Sequence, residues 1–454
     1  MSSERVRLYF STLVAALGGM IFGFDTAVVS GAAGALERDF GLNGFWLGFV
    51  VAAALLGTIA GTLGAARIGE RFGRRAALAL AALLYLCAVA GSASAQLLPA
   101  LVAFRFLGGV ALGTASVIAP MYVAEISPAR LRGRLVAVNQ LNLVTGILLG
   151  YLSNFLLARL LGGPDAWRWM LAVEAIPAAL FLALLALVPE SPRWLVGRGR
   201  TAEACDVLRR LGADDAAGEV REISRAVRDG STDVAPRLFQ RRHARPILLA
   251  VAVALLNQLS GVNALLFFAP RVFRMAGAAE GDALLQAVTV GGTNLLFTGL
   301  ALLIIDRAGR RPLLMVGGAG AAACLALTAA GLASPGGSGS IVLAGLLGFV
   351  AFHAIGQGAV IWVFISEVFP ARVRGKGQAL GSFTHWAAAA LVSWTFPVLV
   401  TSSAAPVFAF FSLMMVMQLL FAWKLMPETR GLSLEEVEER LAPRAAPVRR
   451  RSAA

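Results

Sequence analysis

The chain has 454 residues, of which 58% are hydrophobic and only 15% charged, and its mean hydropathy is +0.75. A soluble domain carries roughly a quarter of its residues charged, so this balance excludes an ordinary soluble protein and points to one embedded in a bilayer. The net charge of +14 would suggest nucleic acid in a soluble chain, but here the arginines lie between long apolar runs, as the positive-inside rule requires.

A bilayer-crossing helix needs about 20 apolar residues. Twelve such runs are present, at about 8–30, 44–66, 76–96, 98–123, 135–158, 167–188, 246–269, 283–305, 312–333, 340–365, 378–400 and 404–426. We number them spans 1 to 12. Before span 1, Met1 to Arg7 is polar and no A-x-A cleavage site follows, so span 1 is expected to be retained rather than removed as a signal peptide. The connections after spans 2, 4, 8 and 10 hold Arg67, Arg71, Arg74 and Arg75; Arg130, Arg132 and Arg134; Arg307, Arg310 and Arg311; and Arg372, Arg374 and Lys376. On the other side, 92–97, 334–339 and 401–403 carry no charge. Both termini are therefore expected in the cytoplasm.

The long hydrophilic connection at about 189–245 divides the spans six and six. Ala204, Val207, Leu208 and Leu211 follow helical spacing, as do Val220, Ile223 and Val227, which predicts amphipathic helices at the cytoplasmic surface. The expected organisation is a six-helix half at 1–188, a helical loop at 189–245, a second half at 246–426, and a cytoplasmic helix and tail at 427–454. In that last segment Ser433 and Glu436 form a capping box, with Leu434, Val437 and Leu441 on one face. The basic, Ala/Pro-rich remainder at 442–454 is expected to be disordered. Cys87, Cys205 and Cys324 show neither a disulfide framework nor a metal spacing, and the three histidines are not in metal-ligand spacing.

The halves repeat one another. G-E-R-F-G-R-R at 69–75 matches I-D-R-A-G-R-R at 305–311, E-I-S-P-A-R-L-R-G-R from Glu125 matches E-V-F-P-A-R-V-R-G-K from Glu367, and P-E-S-P-R-W from Pro189 is echoed by P-E-T-R-G from Pro427. The offsets of 236, 242 and 238 agree on one duplication. Duplicated bundles are characteristic of secondary transporters, whose substrate site lies near the midplane between the repeats.

Ionisable residues inside spans cost about 2.5–3.5 kcal/mol each at the centre, so each needs a reason. Asp25, Arg105 and Glu174 are the notable ones, and counting from the expected span ends places all three about 8–11 Å below the outer surface. A static ion pair is one reading. The other is a protonation switch, because an arginine moving toward or away from a buried carboxyl changes its affinity for a proton. Further polar and aromatic residues lie at membrane depth: Asn139 and Gln140 in span 5, Asn257, Gln258 and Asn263 in span 7, Asn294 in span 8, Gln357 and Trp362 in span 10, His385 and Trp386 in span 11. Singly, such amides can be interhelical contacts worth about 0.6 kcal/mol. Together they supply the hydrogen-bonding groups and flat aromatic faces that a sugar needs. His385 reads as a neutral hydrogen-bonding ligand rather than a titrating group, and His353 is a weaker candidate for either role.

These motifs resemble the sugar porter branch of the major facilitator superfamily over nearly the whole chain. P-E-S-P-R-W-L from Pro189, P-E-T-R-G from Pro427 and the Gly133–Gln140 pairing within R-G-R-L-V-A-V-N-Q carry the likeness. G-M-I-F-G-F-D-T-A-V-V-S-G at 19–31 and V-S-W-T-F-P at 392–397 look most like the bacterial proton/xylose symporters. The resemblance implies an all-α membrane protein of twelve transmembrane helices in two six-helix halves, with cytoplasmic amphipathic helices, moving a monosaccharide or polyol with a proton by alternating access. It implies sugar contacts at Gln140, Gln258, Asn263, Trp362 and Trp386, with Phe22, Asn294 and Gly358 alongside, and Asn257 and His385 at neighbouring positions. Asp25 falls where proton symporters carry an aspartate, and Glu174 matches a family glutamate. The departures are Asn257, Ile147 and His385 where the xylose symporters have glutamine, and Phe267 and Phe268 where they have tyrosine, which leaves the particular sugar open.

At the cytoplasmic span ends, Glu125, Glu190, Glu367 and Glu428 lie beside Arg71, Arg74, Arg132, Arg310 and Arg374. Topogenic charge explains the arginines but not the glutamates. The resemblance implies ion pairs that close the cytoplasmic side while the outer side is open. The expected setting is the cytoplasmic (inner) membrane, with a sugar, a proton and the lipid bilayer as partners, a functional monomer, no cofactor, no metal and no nucleic acid. A facilitative uniporter and a non-transporting sugar sensor are the alternatives. No nucleotide loop, nucleophile elbow or metal set suggests an enzyme.

Overall fold

The computed structural model describes residues 3–128, 131–230, 238–334, 339–370, 373–432 and 434–441, without the side chains of 3, 132, 229, 230, 306, 434, 435 and 439. The proposed capping residue Ser433, the loop charges Arg130 and Arg372, and the 442–454 tail lie outside the described residues, as does the side chain of Arg132.

All regular structure among the described residues is helical. The spans run Ser3–Asp39, Gly44–Phe72, Arg74–Ser94, Leu98–Ile126, Arg132–Leu160, Ala166–Leu185, Arg241–Met275, Glu280–Ala308, Arg310–Ala333, Gly339–Glu367, Arg374–Leu399 and Ala405–Lys424. Among the described residues eleven are long and apolar enough to cross a bilayer by length and composition. The twelfth member, span 11, has 26 residues and is long enough. It falls short in apolarity because it carries Gln378, Ser382, Thr384, His385 and Ser393. Polarity at membrane depth is what a substrate-lining helix requires.

Short helices at Pro192–Gly197, Thr201–Arg210 and Ala216–Gly230 fill the long connection, and Leu434–Leu441 follows span 12. Val437 and Leu441 of that last helix are buried in the cluster that holds Leu249 and Phe364, so it docks through its apolar face. Gly212 of the connection lies against Glu4 at the start of span 1. We call this side of the bundle the terminal face.

Prolines and glycines break the spans at the places that later matter. Pro177 has no N–H to donate to the Val173 carbonyl and its ring crowds that carbonyl, so span 6 divides into Ala166–Ala172 and Ala175–Leu185 with Glu174 in the gap. Span 7 divides at Ser260 and Gly261, whose φ of 80° is one that glycine adopts without strain. Further along, Pro270 leaves the Leu266 carbonyl without its helical donor, and the Tyr151 hydroxyl of span 5 donates to that oxygen at 2.6 Å. Span 10 carries a π-turn at Ala354–Gly358.

Small residues let the helices touch backbone to backbone. A Cβ added at Gly57, Gly61, Gly109 or Gly113 would stand only 1.9–2.2 Å from a carbonyl oxygen of the facing helix, so spans 2 and 4 interlock along reciprocal glycines.

The face opposite the termini is closed by contacts between spans 1–6 and 7–12. Arg271 of span 7 donates to Glu37 of span 1 at 2.8 Å. Gly48 of span 2 abuts the Trp394 backbone of span 11, with Phe45 and Phe49 ring-packed on Trp394. Gly291 of span 8 lies against Leu148 and Tyr151 of span 5.

Candidate functional site

The three intramembrane charges meet. Arg105 Nη1 donates to Asp25 Oδ1 at 2.5 Å and Nη2 to Oδ2 at 3.1 Å, a two-pronged pair with both residues 5% exposed. Glu174 is tied in by Tyr85 of span 3, whose hydroxyl lies within hydrogen-bond reach of Glu174 Oε2 and 3.3 Å from Asp25 Oδ1. Among the described residues, Arg105 Nε and Glu174 Oε1 are buried without a hydrogen-bond partner. A small cavity beside the cluster is lined by Asp25, Tyr85, Ser92, Phe104, Arg105 and Glu174, among others.

The three residues share a depth, as expected, but the distance of Asp25 from its helix end needs correction. Span 1 runs on to Asp39, so Asp25 lies fourteen residues, or about 21 Å, from the helix end rather than five residues. Arg105 stands seven residues inside span 4, as expected. The apolar count missed the end of span 1 because its last two turns include Glu37, Arg38 and Asp39, which the helix carries beyond the apolar stretch. Tyr85 was absent from the sequence reading. Its signal was there to be found: a tyrosine in an apolar run needs a partner for its hydroxyl.

A second polar group forms where span 7 breaks. Gln258 is its hub: Nε2 donates to Asn257 Oδ1 at 2.8 Å and faces the His385 ring nitrogens at 3.1 and 3.2 Å, while Oε1 accepts from Asn263 Nδ2 at 2.8 Å. The Ser260 hydroxyl secures the break by donating to the Asn257 carbonyl at 2.6 Å and accepting from the Val262 N–H at 3.2 Å. Aromatic rings continue from there. Trp362 and Trp386 each stand 4.8 Å from the His385 ring, and Phe22 of span 1 packs 5.1 Å from Trp386. Trp362 remains 36% exposed. Gly358 ends the π-turn that carries Gln357, whose Nε2 donates to the Met415 sulfur at 3.6 Å. Among the described residues, no hydrogen bond joins Asn139, Gln140 or Asn294 to the Gln258 hub. The Asn139 side chain lies by Gly19 of span 1, Asn294 accepts from Thr298 at 3.3 Å, and Gln140 is half-buried in span 5. Phe267 and Phe268 are buried in the core.

At the terminal face the repeated motifs build two matching clusters. In the first, Arg74 Nη2 pairs with Glu125 Oε1 at 2.8 Å, and Ser191 Oγ donates to Glu125 Oε2 at 2.5 Å. In the second, Arg310 Nη2 pairs with Glu367 Oε1 at 3.0 Å, and Thr429 Oγ1 donates to Glu367 Oε2 at 2.6 Å. Glu190 and Glu428 act otherwise than expected. Glu190 Oε1 accepts from the Arg74 and Arg75 backbone N–H groups at 2.9 and 3.2 Å, and Glu428 accepts from those of Arg310 and Arg311 at 3.0 and 3.1 Å. Each carboxylate thus caps the N-terminus of span 3 or span 9 from across the fold, where helix N–H groups and the macrodipole favour an anion. Gly73 and Gly309, with φ of 96° and 90°, leave the space: a Cβ there would stand 2.3 and 2.7 Å from the capping carboxylate. Partial burial raises the Glu428 pKa, but the N–H groups of Arg430, Arg310, Arg311 and Thr429 outweigh it and hold the carboxyl below its usual range.

Neither ion pair crosses between the halves. The structure also leaves two expected arginines out. Arg71 stacks on Phe72 and uses its carbonyl to accept from Arg198, and Arg374 has Nε and Nη2 buried without partners among the described residues. Ser191 and Thr429, missed in the sequence, were marked by the repeat itself, since each is the hydroxyl residue after the glutamate of its motif.

Comparison with known proteins places this geometry. Residues 11–441 match the family model described as "Sugar (and other) transporter". The chain is 38% identical to a D-xylose-proton symporter of Escherichia coli strain K12, with 95% of each chain covered. It is 32% identical to an arabinose-proton symporter of Bacillus subtilis strain 168, covering 94% of this chain and 93% of the relative. Among solved structures it is similar to the inward-open conformation of the xylose transporter XylE from E. coli, with a TM-score of 0.84 and 36% identity over 96% of this chain and 100% of that one.

Proposed function

The chain belongs to the sugar transporter family, and from that premise we propose that it carries a monosaccharide or polyol together with a proton by alternating access. The observation that carries this reading is the buried Asp25–Arg105 pair, joined to Glu174 through Tyr85 in one half while the Gln258–His385–Trp386 group stands between the halves. An ion pair that closes and opens as Arg105 moves would give Asp25 two proton affinities, and linkage then makes sugar affinity depend on protonation. The proton-coupled relatives support the assignment.

On this reading Gln258, Asn257, Asn263, His385, Trp362 and Trp386 contact the sugar. Phe22 and Gly358 border it, and Gln140 and Asn294 approach when the halves rearrange. The units are the two six-helix halves at 1–188 and 246–426, the loop at 189–245 and the end segment at 427–454. The protein is a transporter of the cytoplasmic (inner) membrane rather than an enzyme, and the terminal face is cytoplasmic because the arginine-bearing connections lie there. The contacts that close the opposite face then correspond to an inward-facing state, in which the cytoplasmic pairs stay within their halves. Glu125 with Arg74 and Glu367 with Arg310 fix each half of the gate. Arg374 is a cross-half member that engages when the cytoplasmic side closes, and Arg132 belongs to the same gate by its place in the repeated motif. One chain contains every part, so the monomer is the working unit.

Asp25→Asn tests this directly. In proteoliposomes it abolishes sugar accumulation driven by a pH gradient and leaves downhill exchange measurable. Accumulation that survives in Asp25→Asn removes Asp25 as the coupling group, and an unaltered chain that causes no alkalinisation of the medium on sugar addition is a uniporter.

A further inference from the structure

The geometry points to Tyr85 as the positioning residue that makes Asp25 and Glu174 share a single proton, its hydroxyl being the bridge across which that proton changes sides. The inference rests on the proton-coupling reading and adds a residue and a path to it.

The argument is a count of hydrogens. A phenol has one proton to donate and lone pairs to accept with. The Tyr85 oxygen lies within hydrogen-bond reach of two carboxyl oxygens, Asp25 Oδ1 and Glu174 Oε2, and its single proton makes only one full-strength bond. A carboxylic O–H donating to the phenol supplies the other. Asp25 already accepts from both Arg105 nitrogens, an arrangement that belongs to a carboxylate. The acid is therefore Glu174, and the chain of donors runs Glu174 O–H to Tyr85 oxygen and Tyr85 O–H to Asp25. Charge agrees with the hydrogen count. The titratable groups that face Tyr85 are Asp25 from span 1, Arg105 from span 4 and Glu174 from span 6, all buried. One guanidinium balances one carboxylate, and a second bare carboxylate at this depth would stand uncompensated in a medium that penalises it heavily.

The same arrangement supplies a transfer that conserves atoms and charge. The Glu174 proton moves to the Tyr85 oxygen while the Tyr85 proton moves to Asp25. The start is Glu174 acid, phenol and Asp25 carboxylate; the end is Glu174 carboxylate, phenol and Asp25 acid. Arg105 balances the site before and after. The compensating negative charge passes from Asp25 to Glu174, so the step frees Arg105 from span 1 without leaving a net charge in the membrane. The hinge at Val173 and Glu174, opened by Pro177, puts the receiving carboxylate where span 6 is least constrained by its own helical bonds.

Tyr85→Phe removes the one oxygen and keeps the ring. The readout is the pH profile of sugar accumulation in proteoliposomes, normalised at each pH to sugar exchange by the same sample. With the bridge gone, the midpoint of the profile moves by about one pH unit, the scale of one lost charge-assisted hydrogen bond. Glu174→Gln moves it too, since the amide can donate to Tyr85 but has no proton to pass on, and the double variant moves it no further than the larger single shift. A coupled unaltered chain with an unmoved midpoint in Tyr85→Phe overturns the role of Tyr85 alone. Additive shifts in the double variant overturn the shared path. If Tyr85→Phe yields no folded protein, an unmoved midpoint in Glu174→Gln overturns the inference by itself. An unaltered chain without proton-driven accumulation overturns the coupling reading, and this inference with it.

Discussion

The two halves share their terminal-face chemistry and differ at membrane depth. At the terminal face each half has an arginine–glutamate pair, a hydroxyl on that glutamate's second oxygen, and a remote carboxylate capping the next helix over a glycine with positive φ. At membrane depth the first half has Asp25, Tyr85, Arg105 and Glu174, whereas the second has Asn257, Gln258, Asn263 and His385, with no arginine in span 10 to match Arg105. Duplication has kept what positions the helices and let the buried chemistry diverge. On the proposed reading the charged first site stores the proton, and the neutral second site hydrogen-bonds the sugar without ionising.

The sharpest way to break this comparison is to remove one arginine from each half. Arg105→Met leaves Asp25 a buried, unpaired charge, and breaking such a pair costs about 3–5 kcal/mol. Arg310→Met costs less, about 1–3 kcal/mol, because Glu367 keeps the Thr429 hydroxyl and is 22% exposed at the membrane boundary. Thermal unfolding of both purified variants gives the order, and adding Asp25→Asn to Arg105→Met recovers most of the larger loss. Equal losses would mean that depth does not separate the two kinds of pair. A smaller effect separates the two buried sites. Gln258→Ala unties Asn257, His385 and Asn263 together and weakens sugar binding about tenfold, near 1.4 kcal/mol, with little change in the pH profile of coupling. Binding can be followed through the fluorescence of Trp362 and Trp386. A pH midpoint that moves with Gln258→Ala would merge the two sites into one.

Much of this was legible in the residues, for reasons that differ from part to part. The spans were legible because a bilayer demands about 20 apolar residues each time, and the repeat was legible because charged motifs stand out between apolar runs. The ends of span 1 were not, since Glu37 to Asp39 interrupt apolarity without interrupting the helix. The meeting of Asp25 and Arg105 could be suspected from the expense of burying each. Tyr85 could not be placed between them, because nothing in one helix says which neighbour its hydroxyl will face. Glu190 and Glu428 read as gate charges because they stand among arginines. Their actual partners are backbone N–H groups, which a sequence does not display.

The last prediction concerns that capping role, where the halves should agree. Because backbone donors hold the Glu428 carboxyl below its usual range, its contribution to stability is fully present above the ordinary carboxyl value near 4.3. It is lost only as pH falls through the depressed folded value. Glu428→Gln keeps an acceptor oxygen but loses the charge that the N-terminus of span 9 favours. The variant should therefore unfold at a lower temperature than the unaltered chain at neutral pH. The gap should hold steady down to about pH 5 and close at lower pH, where the native carboxyl has itself become neutral. A gap that persists unchanged to pH 3 would show that the charge is not what the cap contributes. Glu428 would then serve span 9 as a shaped acceptor, and the parallel with Glu190 would rest on hydrogen-bond geometry alone.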